Sequence, residues 1–407
     1  MRSRKSVIPS DSGTMYTRVV ILVCSMFHVI TDATLAILPG VMPFLVKNFS
    51  LSYSDVGMLY TAILLVMVFL QPIAGRLADK FNELDLLAVG AAFISISCLL
   101  LFNTSSYVEL VLLNLAYAVG ASFYHPVSYA LLSRVAEETT HRTKSMGISG
   151  ATGDLGNFIA FLSTGIFVGI FSWKFPFLAW GLTGSFSLLV YLTALRHAKH
   201  SLHESKTAGN VAFNVRWTKG TNVPPRFTVL IFFMCISNGA IHRTFVNFTI
   251  LFLTDVVHLA PTSSNYVFSL FVLSGVVGAS LSGFIAHRLG AKRALTMEFL
   301  VLSACTLPLY VNFLQVLIVL LPLLILSGFA LYTAYPTLYS LAADVTSFRS
   351  RGLFYGFLMS ITFTGGMALS FIGGKLADLV SNISIVYIVC TVVALCAFYA
   401  AHNLSTD

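Results

Sequence analysis

The sequence has few charged residues: Asp, Glu, Lys and Arg together make up 10% of its 407 residues. A soluble globular domain of ordinary composition carries about 25% charged residues, so this composition excludes a chain whose whole surface faces water. Hydrophobic residues make up 57% of the sequence, and the mean hydropathy is +0.86. These values predict a protein embedded in a bilayer, where about 20 apolar residues in a helix cross the hydrocarbon core.

Several motifs are absent as well. The six cysteines all fall within apolar runs, and their spacing is not that of a metal site or a disulfide framework. The sequence has no His-Glu-x-x-His motif and no Walker-type phosphate loop. We therefore expect no enzymatic activity, no ATP-driven pumping, no cofactor and no resident metal. A receptor or scaffold that transports nothing is a further alternative with the same composition.

The apolar residues form twelve runs of membrane-spanning length, with six runs on each side of one long polar stretch. The runs are continuous, whereas strands of a membrane barrel alternate over about 10 residues, so helices are favoured. We predict an all-α membrane protein with one six-helix bundle in residues 1–195, a cytoplasmic linker at 196–226 and a second six-helix bundle in 227–407. The predicted spans are 19–46, 56–77, 84–102, 108–132, 145–171, 175–195, 227–253, 266–286, 294–313, 316–342, 353–376 and 383–401.

The basic residues are distributed unevenly about these spans. If the N-terminus is cytoplasmic, every Lys and Arg falls on the cytoplasmic side except Lys47, Lys174, Lys375 and Arg243. This bias predicts a multi-pass protein of the cell membrane with both termini in the cytoplasm. The charges are spread over six segments, so the net charge of +8 does not predict nucleic-acid binding. We expect a monomer surrounded by membrane lipid.

Two similar polar loops indicate an internal duplication. Gly75-Arg76-Leu77-Ala78-Asp79-Lys80 follows the second run, and Gly283-Phe284-Ile285-Ala286-His287-Arg288 follows the eighth. Arg142 and Arg351 open the fifth and eleventh runs in matching positions. Duplicated helical bundles are typical of secondary transporters. We predict that these loops and arginines form a gate, built from Gly75, Asp79, Lys80, Arg142, His287, Arg288 and Arg351.

The first loop resembles the loop motif of the major facilitator superfamily, through Gly75, Asp79 and Lys80. A narrower resemblance, to the fosmidomycin-resistance branch, rests on His28-x-x-x-Asp32, on Leu70-Gln71-Pro72-x-x-Gly75 and on Gly120-Ala121-Ser122-Phe123-Tyr124-His125-Pro126. The resemblance implies two helical bundles that open alternately to either side, and proton-coupled export of a drug or metabolite. The chain departs from that branch at Val127, where the branch has Glu, and at Asp154, where it has Asn.

Ionisable residues within the spans are candidate functional residues, because each costs a few kcal/mol near the bilayer centre. At about 1.5 Å of rise per residue, several of them lie roughly 14 to 25 Å from the cytoplasmic ends of their helices. We expect them to meet in a cavity between the two bundles. They are His28, Asp32, His125, Asp154, His242 and Arg243.

His28 and Asp32 are four residues apart, so they share one helix face. A carboxylate beside an imidazole suits proton coupling, because histidine titrates near physiological pH. The alternative is a buried pair that only fixes the helix. Asp154, on a glycine-lined face, is the third predicted proton carrier.

Arg243 stays charged in any protein environment, so it needs an anionic partner or water. It either binds an anionic substrate group such as a carboxylate or phosphonate, or it forms a structural ion pair with Asp32 or Asp154. His125 precedes a proline kink and is either a ligand of substrate or proton or a donor to a nearby carbonyl. With Tyr124 and His242, these residues form the predicted substrate-binding set.

The sequence therefore predicts a proton-coupled secondary transporter that moves a small, in one interpretation anionic, organic molecule by alternating access. We expect an exporter that exchanges a drug or metabolite for protons. The alternative is a proton symporter that imports an organic acid or a sugar-like nutrient.

Overall fold

The computed structural model describes residues 11–135, 139–195, 225–344 and 351–404. These residues form twelve long α-helices and no β-strand, which confirms the predicted fold class. A π-helical turn, Tyr191–Leu195, continues the sixth helix. The helices are α1 Asp11–Phe49, α2 Tyr53–Ala78, α3 Glu83–Leu101, α4 Tyr107–Val135, α5 Thr139–Ile170, α6 Phe175–Val190, α7 Pro225–Asp255, α8 Pro261–Leu289, α9 Ala291–Tyr310, α10 Leu317–Asp344, α11 Arg351–Val380 and α12 Ile385–His402.

Eleven of the described helices are long and apolar enough to cross a membrane, and α9 is the exception. It begins with the basic pair Lys292-Arg293 and contains Glu298. Several helices extend beyond the predicted apolar runs, because a helix continues through polar residues until a cap ends it. The N-terminus of α2, for example, is fixed by a capping box in which the Ser52 and Asp55 side chains each bond the other's backbone N–H.

Consecutive helices run antiparallel, so the bundle has two ends. We call the end at which α1 begins the terminal end, and the end at which α2 begins the distal end. A buried cluster at the terminal end joins the start of α1 to the end of α2, the start of α3 and the end of α4, through Val20, Ala78, Leu84 and Leu131. The loop after Gly75 therefore lies at the terminal end.

Helices α2 and α11, one from each half of the chain, pack closely at both ends. At the terminal end, a Cβ atom on Gly75 would overlap the backbone of Gly352. At the distal end, a Cβ atom on Gly57 would overlap the backbone of Ser370 and crowd Gly374. Glycine lets two membrane helices approach this closely, so the contact depends on glycine along its length.

Further contacts join the halves around a central space. The Asn265 side-chain amide on α8 donates a 2.9 Å hydrogen bond to the Gly40 carbonyl on α1. The rings of Phe161 on α5 and Phe268 on α8 meet edge to face at 4.7 Å. A cavity between the halves is lined by residues of α1, α2, α3, α4 and α6 on one side and of α7 on the other.

Candidate functional site

His28 and Asp32 form a close buried pair on α1. The distance from His28 Nε2 to Asp32 Oδ2 is 3.3 Å, as the four-residue spacing predicts. On the other side of the ring, His28 Nδ1 lies 2.5 Å from the Ser149 carbonyl oxygen on α5. A carbonyl only accepts, so it favours hydrogen on Nδ1 and directs Nε2 toward the carboxylate.

His125 on α4 approaches the same carboxylate from the other side. Its Nε2 atom lies 3.5 Å from Asp32 Oδ1, so Asp32 stands between two imidazoles. The side chains of His125 and Asp32 keep 13% and 12% of their surface accessible, against 4% for His28. His125 and Asp32 therefore form the more open edge of the cluster, while His28 is held behind them.

Two neighbours on α5, Gly153 and Asn157, hold this arrangement, and no signal in the sequence singles out Asn157. The Asn157 side-chain amide lies 3.5 Å from Asp32 Oδ2. Gly153 faces the His28 ring so closely that a Cβ atom there would overlap the imidazole. Both residues lie on α5, so their roles depend on how α5 packs against α1, and local sequence carries no signal of it.

Tyr124 packs behind His28. The ring centroids of the two residues are 4.5 Å apart. The Tyr124 hydroxyl donates a 2.7 Å hydrogen bond to the Cys24 carbonyl and lies 3.2 Å from Ser149 Oγ. Tyr124 was predicted to bind substrate, but in this conformation it is buried and supports the His28 ring.

Asp154 lies near the cluster but outside its hydrogen bonds. Its charge interacts with those of Asp32 and His28, and the residue is partly accessible. The structure thus brings three of the predicted ionisable residues, His28, Asp32 and Asp154, together with His125 in the first half of the chain.

Arg243 lies on α7, in the second half of the chain. It is 8% exposed, and its guanidinium carbon lies 4.4 Å from the centroid of the Phe363 ring. The charge of Arg243 interacts with that of Asp32. No carboxylate of the described residues lies within ion-pair distance of Arg243. Its Nε atom is buried and has no hydrogen-bond partner among those residues. The predicted structural ion pair with Asp32 or Asp154 is therefore not formed in this conformation.

Hydroxyl and amide groups line the same cavity as Arg243. The Tyr60 hydroxyl there is buried without a hydrogen-bond partner among the described residues. A cavity with a buried cation and unpaired polar groups suits an anionic or strongly polar ligand. The polar lining residues are Thr34, Tyr60, Asn114, Tyr117, Arg243 and Asn247.

His242 lies next to Arg243 but meets a different wall. Its ring contacts Tyr332 and Tyr335 of α10 edge to face, with centroid distances of 5.0 and 5.4 Å. Both ring nitrogens lack a hydrogen-bond partner among the described residues. The second half thus contributes a cation and an aromatic wall, whereas the first half contributes the carboxylates.

The predicted gate residues fall into two groups. At the terminal end, Gly75 packs on Gly352, and Asp79 Oδ1 lies 3.3 Å from the position of a Cβ atom on Gly352. Asp79 thus places a carboxylate at the N-terminus of α11, where the helix dipole favours negative charge. Lys80 is exposed beside it. The side chains of Arg142 and Arg351 lie outside the described residues.

The second loop motif does not repeat this packing. His287 and Arg288 are exposed at the end of α8, and Arg288 lies over the Phe284 ring of its own helix. A Cβ atom on Gly283 would meet no atom within 4 Å. Similar local sequence therefore does not place these residues at a second close contact, because packing depends on the neighbouring helix.

A third copy of the motif, which sequence reasoning missed, does form such a contact. Gly374-Lys375-Leu376-Ala377-Asp378 ends α11 and closely matches the residues from Gly75 to Asp79. The Asp378 carboxylate accepts 2.9 Å hydrogen bonds from the backbone N–H groups of Tyr53 and Ser54, the first residues of α2. The repeated pentapeptide was the available signal.

Comparison with known families places this architecture. The family model described as Major Facilitator Superfamily matches residues 23–367 and 232–405. The chain is 22% identical over 381 residues to the fosmidomycin resistance protein of Escherichia coli (strain K12), covering 90% of this chain and 88% of that protein. It is 24% identical over 311 residues to the uncharacterized MFS-type transporter YfnC of Bacillus subtilis (strain 168), covering 74% and 72%.

Solved structures with the same fold have low sequence identity. A bacterial homologue of the human lysosomal transporter Spinster, in an inward-facing and occupied conformation, superposes with a TM-score of 0.74 at 14% identity, covering 97% of each chain. The nucleoside transporter NupG superposes with a TM-score of 0.71 at 12% identity, covering 96% of this chain and 99% of that one. At such identities the likeness concerns the fold.

Proposed function

This chain belongs to the Major Facilitator Superfamily, and we propose that it is a proton-coupled secondary transporter that exports a small organic molecule in exchange for protons. One observation carries the proposal: the buried His28–Asp32–His125 cluster of the first half interacts electrostatically with Arg243 of the second half, which has no carboxylate within ion-pair distance among the described residues. A transporter of this kind needs a group that gains and loses protons and a group that holds cargo, close enough to influence each other.

Proton carriage is assigned to His28, Asp32 and Asp154. An imidazole and a carboxylate 3.3 Å apart can share one proton. Buried ionisable groups that line an intramembrane cavity often form proton relays. Loss or gain of a proton at Asp32 changes the field at Arg243, since their charges interact.

Cargo binding is assigned to Arg243, His242 and His125. The guanidinium presents several donors in a plane that fits a carboxylate or phosphonate group, and it packs over the Phe363 ring. The aromatic wall beside His242 offers apolar contact for the rest of the molecule. These features support a cargo with an anionic end and an apolar body.

The direction of coupling depends on what the cargo does to Asp32. A cargo whose N–H or O–H group donates to the ionised Asp32 carboxylate competes with a proton there, and mutual exclusion produces antiport. A cargo that contacts only Arg243 gains when Asp32 is protonated, because repulsion between two anions is removed, and joint binding produces symport. The location of Asp32 near Arg243 favours this symport of an organic acid as the second candidate.

Alternating access is assigned to rocking of residues 1–195 against 227–407, with both termini on the cytoplasmic side of the cell membrane. The α2–α11 contact carries a Gly-x-Leu-Ala-Asp sequence at each end, Gly75 to Asp79 and Gly374 to Asp378. Each sequence brings a carboxylate to the N-terminus of the partner helix. Breaking one contact at a time would open one end at a time.

The test is transport by purified protein in lipid vesicles with an imposed pH gradient. The cargo compounds are fosmidomycin, which occurs in the name of a similar protein, and a panel of small organic acids. We expect accumulation that depends on the gradient and disappears in Asp32→Asn but not in Glu109→Gln, whose carboxylate only caps its own exposed helix start. Accumulation of cargo that does not depend on the pH gradient would contradict the proposal.

Proton counting separates the two directions. Cargo is added to the protein in weakly buffered detergent solution with a pH dye. Release of protons on binding supports antiport and export, whereas uptake of protons supports symport and import.

A further inference from the structure

We propose that His28, Asp32 and His125 form a binding site for a divalent transition-metal ion of the Zn²⁺ class. The three side chains offer two imidazole nitrogens and one carboxylate oxygen, and these atoms all lie within 4.8 Å of one another. Two histidines and one carboxylate are a recurrent ligand set for Zn²⁺ and related ions. The inference goes beyond the proposed function, because binding a metal requires no transport.

The distances suit one shared ion. Bonds of 2.0–2.2 Å in a tetrahedral site separate neighbouring ligand atoms by about 3.3 Å. His28 Nε2 and His125 Nε2 lie 3.3 and 3.5 Å from the two oxygens of Asp32. These distances let an ion replace the direct contacts with only small movements of the side chains.

The surroundings hold the ligands in place. Metal-binding histidines usually donate their second ring N–H to a carbonyl or carboxylate, which fixes the ring. His28 Nδ1 has such a partner in the Ser149 carbonyl on α5. The Asn157 amide lies 3.5 Å from Asp32 and restrains the carboxylate in the same way. Gly153 leaves the room that the His28 ring occupies.

The open edge of the site and the nearby charge both suit a cation. His125 and Asp32 keep 13% and 12% of their side-chain surface accessible, so an ion or a water molecule can reach the site. Asp154 adds a second carboxylate whose charge interacts with Asp32. No metal-ligand spacing is visible in the sequence because Asp32 and His125 come from different helices.

The test is calorimetric titration of chelator-treated full-length protein in detergent with Zn²⁺ and then Co²⁺. The parent for all measurements carries His197→Gln, His200→Gln and His203→Gln, which removes the linker imidazoles. We expect one ion per chain. His28→Gln, His125→Gln and Asp32→Asn, which keep side-chain size, should each weaken binding at least tenfold.

Controls separate the site from general effects. His258→Gln removes an exposed imidazole at the distal end and should leave affinity unchanged. Zn²⁺ should raise the unfolding temperature of the parent but not of the three cluster variants, and unfolding curves without metal show that each variant is folded. Parent affinity in folded cluster variants, or an equal loss in His258→Gln, would overturn the proposal.

Comparing calorimetry with vesicle transport separates this inference from the proposed function. Gradient-driven transport by a protein that binds no metal in calorimetry would overturn the metal site alone. Specific metal binding without gradient-driven transport would overturn the proton coupling alone.

Discussion

Asp378 caps α2 from the opposite half of the molecule, because its carboxylate accepts a 2.9 Å hydrogen bond from the backbone N–H of Tyr53. A second bond of 2.9 Å comes from the N–H of Ser54. The Tyr53 hydroxyl also donates to Asp255 at 3.1 Å, which adds another carboxylate of the second half to the same corner. Opening the distal end between α2 and α11 must break these bonds.

We predict that Asp378→Asn makes the cavity more accessible from the distal end. The change removes the charge at a helix N-terminus, which is worth about 1 kcal/mol at a partly exposed position and so shifts the population several-fold. Cys98 lines the cavity and is buried, which makes it a native reporter. In a background whose other five cysteines are alanine, Asp378→Asn should raise the alkylation rate of Cys98 several-fold.

Glu109→Gln is the matched control for Asp378→Asn. Its carboxylate also binds N–H groups at a distal helix start, but those belong to Ser105 and Ser106 beside its own helix. An unchanged alkylation rate of Cys98 in Asp378→Asn, or an equal rise in Glu109→Gln, would show that the contact of Asp378 with α2 does not hold the distal end closed.

We predict that Gly153→Ala disables proton coupling while the protein stays folded. The new methyl group would occupy the position of the His28 imidazole and push the ring from Asp32. Gradient-driven uptake in vesicles should fall at least tenfold. Gly150→Ala is the control, because Gly150 lies on the same helix and a Cβ atom there would meet no atom within 4 Å. Equal uptake by the two variants would show that the His28 position is unimportant.

We predict that Arg243→Gln weakens the binding of an anionic cargo by ten- to a hundredfold, since hydrogen bonds to a charged group are worth about 1.5–3 kcal/mol. Arg243→Lys should recover only part of the loss, because an ammonium group lacks the planar pair of donors. Calorimetry on purified protein provides the affinities. Arg226→Gln, exposed at the start of the same helix, should bind normally, and full affinity in Arg243→Gln would exclude the guanidinium as the anion site.

We predict that Asp154→Asn lowers the number of protons exchanged per cargo molecule. Asp154 is partly accessible and interacts with the charges of Asp32 and His28. Proton counting with a pH dye during cargo binding gives the number directly. The same number in Asp154→Asn and in Glu109→Gln would remove Asp154 from the coupling path.

The sequence predicted the features that depend on local spacing. Long apolar runs predicted the helices. A four-residue separation predicted the contact of His28 with Asp32. The specific contacts between helices could not be predicted from the sequence. Depth along the helices predicted only that His125 and Asp32 share a cavity, and their direct contact depends on how α4 packs against α1. Ser149 and Asn157 reach the cluster because α5 packs against α1 at a particular height, which hydropathy does not encode.

The loops illustrate the same limit. Gly283 begins the second loop motif as Gly75 begins the first, yet it faces open space, whereas Gly374 makes the close contact. Both glycines precede a small polar segment at a helix end, and only the partner helix distinguishes them. A repeated local sequence therefore predicts a candidate contact, and tertiary packing decides which copy forms it.

The most direct test of the central claim compares two modes of transport by Asp32→Asn in lipid vesicles. One assay measures accumulation of cargo driven by a pH gradient, and the other measures exchange of labelled for unlabelled cargo without a gradient. We predict that Asp32→Asn loses accumulation but retains exchange, because the cargo site at Arg243 remains while the proton acceptor is gone. Accumulation at the wild-type level by Asp32→Asn would contradict the assignment of proton coupling to this cluster.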